Sequence, residues 1–172
     1  MLVIHPGLGV FGMSQGDWHR AYEAPQGWRE DNLGLIAEAI EVCANAFPEL
    51  VLAVENMIFP HEIFPTPQDL QLLIQQVKAP KVGVCLDVGH ATAANQDWKE
   101  FFSVLGERIM HLHVHDNCGF VDEHLPIGQG NIDYLGFIPK IEQLGYTGAI
   151  ALEYRLDQDP RLLLQGGDSK EG

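Results

Sequence analysis

At 172 residues the chain has the length of one ordinary domain with a substantial core. Its 46% hydrophobic and 20% charged content predicts a soluble globular protein, and no apolar run approaches the roughly 18 residues of a membrane helix. Ten basic against twenty-four acidic residues leave a net charge of −14, which argues against a nucleic-acid partner, because such affinity comes largely from neutralising phosphates.

The chain opens on an apolar run, Leu2-Val3-Ile4-His5, read as a first strand, without a charged-then-apolar leader; the expected location is the cytoplasm. A long loop containing Pro6, Gly7, Trp18 and His19 follows. Glu30 to Ala46 then carries apolar residues at helical spacing (Leu33, Ile36, Ala37, Ile40, Ala44). Leu50 to Glu55 reads as a buried strand ending in a carboxylate. Thr66-Pro67 predicts the start of the next helix, with Thr66 as N-cap and Leu70, Leu72, Leu73, Ile74 and Val77 as its buried face. Val82 to Asp87 is a third apolar run ending in an acid, and Asp87-Val88-Gly89-His90 sets that acid and an imidazole three apart across a tight turn.

Asp97 to Gly106 predicts another helix. Ile109 to His113 is a fourth strand, and His111, His113 and His115 fall on one face of it by two-residue periodicity. Three in-line histidines are hard to explain as packing. The Gly-containing stretch from Val121 to Asp133 follows, with Asp133 expected to cap a helix through Phe137, Ile138 and Ile141 that Gly145 ends. Ala149 to Glu153 is the fifth strand and again ends in a carboxylate. We expect one domain over 1–157 and a tail over 158–172, with Leu162–Leu164 in a short last helix. Cys43, Cys85 and Cys118 form no CxxC pair, which argues against a disulfide framework or thiolate zinc; Cys43 and Cys85 read as packing residues.

Apolar runs alternating with helices imply a parallel sheet whose function gathers at the carboxyl ends of its strands. A five-stranded doubly wound sheet would suit the length, whereas a complete (β/α)8 barrel takes about 250 residues. Buried carboxylates are costly unless paired or metal-bound. Two glutamates, an aspartate and an imidazole make an oxygen-rich site suited to Mn2+, Mg2+ or Zn2+. Such an ion can polarise a ketone oxygen while glutamates on two faces of the substrate remove and return a carbon-bound proton. Asp122 and His124 could join His90 around a further ion or a polar substrate end; the plainer reading is a surface loop with a capping Asp. His5 could be a ligand or a hydrogen-bond donor. His19 and His61 read as loop residues without a task, and Trp18, Trp28 and Phe59 as an apolar wall over the strand ends or a cover of the core.

Taken in order, His5-Pro6-Gly7, Glu55-Asn56, Asp87-Val88-Gly89-His90, His111-Leu112-His113, Asp122-Glu123-His124…Gly128-Gln129-Gly130 and Glu153 resemble the xylose isomerase-like TIM-barrel superfamily, which holds sugar phosphate isomerases/epimerases and the endonuclease IV group. The resemblance runs from Leu2 to Arg155 and implies an incomplete (β/α)8 barrel of about five βα units matching strands 4–8. It implies that Glu55, Asp87, His113 and Glu153 are the divalent-metal quartet, with Glu55 and Glu153 the acid/base pair, and that His90 stands beside the substrate. In the endonuclease branch it implies an additional zinc on His90, Asp122 and His124, and another that His5 helps to hold.

Strands one to three are expected to be missing, which would leave two sheet edges and an apolar interior uncovered. The leading expectation is a metal-dependent isomerase or epimerase acting on a sugar or sugar phosphate. The alternatives are an endonuclease IV-like phosphodiesterase on abasic DNA and an inactive barrel fragment that needs an oligomer or a barrel-completing partner.

Overall fold

The structure, a computed structural model, describes residues 1–6, 28–58, 62, 64 and 66–154. The readings of Gly7, Trp18, His19, Phe59, His61 and the tail lie outside the described residues, as does the side chain of Trp28. Five strands, β1 (Leu2–Ile4), β2 (Leu52–Glu55), β3 (Val82–Asp87), β4 (Ile109–Val114) and β5 (Ala149–Leu152), lie in chain order in one sheet, and every neighbouring pair is parallel. Helices α1 (Trp28–Ala46), α2 (Pro67–Gln76), α3 (Val88–Ala93), α4 (Trp98–Leu105) and α5 (Phe137–Gln143) fill the crossovers. The sheet curls into part of a (β/α)8 barrel.

One row of strand residues faces the helices. Leu52, Val54, Val82, Val84, Leu86, Leu112 and Val114 share a buried cluster with Ile40 of α1, Leu70 and Leu73 of α2, and Phe101 and Leu105 of α4. Burying such a row against amphipathic helices supplies the main stabilisation of this architecture. The alternate row faces the concave side and is different in kind. Ala53 pairs with Gly83, Glu55 with Cys85, Cys85 with His111, and Asp87 with His113. Small residues therefore line one end of the concave face, and ionisable ones the carboxyl end.

The β3–β4 register breaks once: Val84 pairs with Ile109 but Cys85 pairs with His111. Met110 is the extra residue, and it folds over Gly83, where an added Cβ would lie 2.7 Å from the Met110 side chain. Without that irregularity the strand's alternation would send His111 and His113 toward the helices.

Local signals held in most places. Thr66 caps α2 in a reciprocal box with Asp69, Asp97 caps α4, and Gly145 adopts φ 79° just beyond α5. Three expectations are corrected. Asp133 does not cap α5: its carboxylate accepts the Leu135 amide, and the chain makes a further turn before Gly136 begins the helix. Leu72 points to solvent, because α2 buries Leu70, Leu73 and Ile74 instead. Cys43 is exposed on α1, whereas Cys85 is buried as expected. The turn after Asp87 is the first turn of α3, with Asp87 as its N-cap.

β1 and β5 have a strand partner on one side only among the described residues, and Leu2, Ile150 and Leu152 are exposed there. Among the described residues no helix is long and apolar enough to cross a membrane.

The loop after β4 is organised around one buried carboxylate. Asp116 accepts the amides of Asn117, Gly128, Gly130 and Ile132 at 2.8–3.1 Å. Gly130 is required there, since a Cβ would sit 2.4 Å from Asp116 Oδ1. Asp116→Ala is expected to cost at least about 3 kcal/mol, the scale of bonds to a charged acceptor. Urea unfolding measures it, and a loss below about 1 kcal/mol would show that the loop stands without Asp116.

Candidate metal centre

Parallel strands deliver their last residues to the same edge, so the acids that end β2 and β3 and the one that follows β5 meet a histidine of β4. His113 Nδ1 lies 3.0 Å from Glu55 Oε1, 3.1 Å from Glu153 Oε1 and 4.0 Å from Asp87 Oδ2. Ligand atoms of these four residues all lie within 4.8 Å of one another. Glu55 and Asp87 are fully buried, while Glu153, one residue past β5, is about one-third exposed at its side chain (34%). His5, beyond β1, brings Nε2 to 2.5 Å from Glu55 Oε2.

Asn56 locks β2 to β3 at this edge. Its Oδ1 accepts the Asp87 amide at 2.7 Å and its Nδ2 donates to the Asp87 carbonyl at 3.0 Å. Its own carbonyl accepts His90 Nδ1–H at 2.9 Å, while the His90 amide donates to Asp87 Oδ1 at 2.8 Å. The Asn56 carbonyl thus fixes the proton on Nδ1 and leaves His90 Nε2 facing inward.

A second group lies against the first. Asp122 Oδ2 is 3.5 Å from His90 Nε2 and 3.0 Å from His124 Nε2, and Asp122 Oδ1 is 3.4 Å from His115 Nε2. His124 Nδ1–H donates to the Glu153 carbonyl at 2.8 Å, so its Nε2 also points in. The His115 and His124 rings stack with centroids 4.0 Å apart.

Burial opposes charge on His90, Asp122, His113 and His115, and their neighbours overcome it. Desolvation would lower the His90 pKa, but Asp122, Asp87 and Glu55 push it up to about 10. Desolvation would raise Asp122, but His90, His124 and His115 bring it down to about 2. His113 and His115 are likewise raised despite their burial, by Glu55 and by Asp87 respectively. Burial pushes the Cys85 thiol up, so it stays protonated beside the quartet.

Even so, Glu55 Oε2, Asp87 Oδ2, His115 Nε2 and Asp122 Oδ1 are buried without a hydrogen bond of normal geometry. Orphaned polar atoms are costly singly, and here they converge on two small spaces. A cation would satisfy them, so the donor sets fit metal ions. The first is oxygen-rich and suits Mn2+, Mg2+ or Zn2+; the second has three imidazoles.

The structure thus brings Glu55, Asp87, His113 and Glu153 together, places His5 against Glu55, and gathers His90, Asp122 and His124 separately. The in-line histidines divide: His113 joins the first group, His115 the second, and His111 neither, its ring 5.1 Å from that of His113. His115, Asn56 and Asp116 went without a role in the sequence reading. For His115 the signal was its place two residues after His113; for Asn56 and Asp116 no local pattern marks a cross-strand clamp or a loop anchor. A cavity of about 560 Å3 opens near the amino ends of the strands, by Met1, Val51, Met110 and Tyr146, and none of these ligands lines it.

Metal uptake competes with protons for imidazole nitrogens whose pKa the neighbouring acids raise, so apparent affinity is expected to rise with pH. Calorimetric titrations across a pH series measure it. An apparent affinity that does not rise with pH would overturn the assignment of histidines as ligands.

Residues 1–169 match the xylose isomerase-like TIM barrel family. An uncharacterized protein of Methanocaldococcus jannaschii is 31% identical over 133 residues, 76% of this chain and 45% of that protein. A probable endonuclease 4 of Mycoplasma mycoides subsp. mycoides SC is 30% identical over 124 residues, 63% of this chain and 41% of that protein. The chain spans about half the length of the curated relatives it matches. Among solved structures, a D-tagatose 3-epimerase-like protein superposes with a TM-score of 0.73 at 28% identity, covering 95% of this chain and 57% of that one. A 3-keto-D-glucoside 4-epimerase from E. coli, at 13% identity, shares the fold with a TM-score of 0.70 over 95% of this chain and 60% of its own. A parallel sheet curled as part of a barrel, matched along nearly all its length, makes this chain a member of the xylose isomerase-like TIM barrel family.

Proposed function

We propose that this chain carries the metal-binding and proton-transfer machinery of an isomerase or epimerase acting on a ketose or related sugar, phosphorylated or free, in the cytoplasm. The observation that carries this reading is the placement of Glu55 and Glu153. They come from β2 and β5, on opposite sides of His113, and each holds an oxygen within about 3.1 Å of the same imidazole nitrogen. Two carboxylates so disposed can address the two faces of one carbon.

Asp87 and His113, with one oxygen from each glutamate, would hold the divalent ion. Bound there, the ion would supply the polarisation that acidifies a C–H bond next to a ketone. Glu153, partly open to solvent, then takes the proton from that carbon, and the Glu55 carboxyl on the other flank returns one. His90 Nε2 and His5 lie where substrate hydroxyls would need donors. The similarity to a D-tagatose 3-epimerase-like protein supports this reading.

A phosphodiesterase of the endonuclease 4 kind is the second reading, favoured by the His90–Asp122–His124 group and the Mycoplasma relative. The net charge of −14 weighs against it. In either case the substrate pocket would be closed by whatever packs against β1 and β5, which have a strand partner on one side only among the described residues.

The test is deuterium wash-in from D2O into ketoses on the manganese-loaded protein, followed by NMR. Exchange should occur next to the carbonyl and fall at least about 100-fold in Glu153→Gln, the scale of a lost general base. Unchanged exchange in that variant would overturn the acid/base pair. Cleavage of an abasic duplex without any sugar exchange would favour the second reading.

Glu55→Gln should abolish tight binding of the quartet's ion while the far-ultraviolet circular dichroism stays unchanged. Undiminished binding of that ion would remove Glu55 from the ligand set.

A further inference from the structure

Two lysines share a cavity that the metal centre does not use. The cavity has a volume of about 400 Å3 and lies between the start of α4 and the start of α5, lined by Trp98, Lys99, Asp133, Gly136 and Lys140. Both helices run back toward the amino end of the next strand, so the cavity sits outside the sheet, toward its carboxyl ends. None of the candidate metal ligands lines it.

Charge sets this cavity apart. The chain carries a net charge of −14, and its described basic side chains are Lys78, Lys81, Lys99, Arg108 and Lys140. Two of these five meet here. Acids outnumber bases by 24 to 10, yet among the described residues neither Lys99 nor Lys140 makes an ion pair. Lys140 is half-buried, and an ammonium in that position without a partner is costly. Lys99 Nζ lies 5.4 Å from the centre of the Trp98 ring. Trp98 is buried and packs edge-on against Phe102 and Phe137, so this wall is firm. Asp133 Oδ1 accepts the Leu135 amide at 3.2 Å, which leaves Oδ2 for another donor. That oxygen stands over Gly136, 4.0 Å from where a Cβ would lie.

We propose that this cavity binds a compact phosphate monoester that carries a hydroxyl group. Lys99 and Lys140 hold the phosphate as two point charges, Asp133 Oδ2 accepts the hydroxyl, and the Trp98 ring backs the carbons. The carboxylate selects an ester over a bare anion: it repels inorganic phosphate, whereas a hydroxyl bonded to its oxygen offsets that repulsion. A space of this volume suits a small molecule. The aromatic wall continues inward, since Phe137 meets Tyr134 with ring centres 5.3 Å apart and the Tyr134 hydroxyl donates to the His115 carbonyl at 2.8 Å. The cavity is thus separate from the strand ends but built on the same loop.

The metal-free 172-residue protein is titrated with glycerol 3-phosphate at constant ionic strength, by calorimetry and tryptophan fluorescence, beside glycerol and inorganic phosphate. One equivalent of the ester is expected to bind, more tightly than inorganic phosphate, and glycerol not at all. Lys99→Gln and Lys140→Gln keep much of the aliphatic stem while removing the charge. Each should weaken the ester at least about 10-fold, the scale of one lost bond to a charged group. His90→Gln, at the strand ends, should leave it unchanged.

Undiminished ester binding when both lysines are replaced would overturn the proposal, as would no binding to the unmodified protein. Loss of binding in His90→Gln with both lysine variants intact would place the phosphate at the strand ends and overturn it as well. Inorganic phosphate bound as tightly as the ester would overturn the part given to Asp133.

Discussion

Everything at the carboxyl end of this sheet follows from burying Glu55 and Asp87 where water cannot reach them. A carboxylate in that position must find positive charge or hydrogen-bond donors, or lose its own charge. The protein answers with imidazoles. His113 and His5 face Glu55, and His115 and the His90 amide face Asp87. Asp122 then balances His90, His115 and His124 from the loop. The result is two donor sets packed against each other, each with atoms left over for a cation.

Such an arrangement needs a rigid mount. Three devices supply it. Asn56 bonds both the amide and the carbonyl of Asp87, tying adjacent strand ends together. The irregularity at Met110 keeps His111 and His113 on the concave face. Asp116 gathers four amides and so folds the segment that carries Asp122 and His124 back over the strand ends. A further bond from Asn117 Nδ2 to the Gly89 carbonyl fastens this loop to α3. The candidate ligands His90 and His124 are thus held by second partners, the carbonyls of Asn56 and Glu153, that fix their tautomers and directions.

The same residues place two chemistries within reach of one another. An oxygen-rich set with two carboxylates on opposite flanks suits proton transfer at carbon, and a histidine-rich set suits a softer ion or a polar substrate end. The proteins this chain resembles include a D-tagatose 3-epimerase-like protein and a probable endonuclease 4. Among the described residues β1 and β5 have a strand partner on one side only.

Much of the fold was legible in the amino-acid order because its signals are local. Continuous apolar runs, a Thr-Pro helix start, an Asp cap at 97 and a Gly stop at 145 all act within a few residues. The convergence of Glu55, Asp87, His113 and Glu153 was suggested for the same reason: an acid or imidazole closing an apolar run is conspicuous. Local signals misled where two neighbours competed, as at Asp133, whose carboxylate turns to Leu135, and at Leu72, which the rotation of α2 leaves outside. What only the tertiary structure decided depends on pairings between distant segments. The one-residue shift between β3 and β4 determines which way His111 and His113 face. The approach of the 117–132 loop sets His115 beside Asp122 and His124, while His113 meets the carboxylates of the quartet and His111 joins neither group. No periodicity within a single strand encodes either, because both are set by contacts outside the strand, the first with β3 and the second within the loop and with α3 and Glu153.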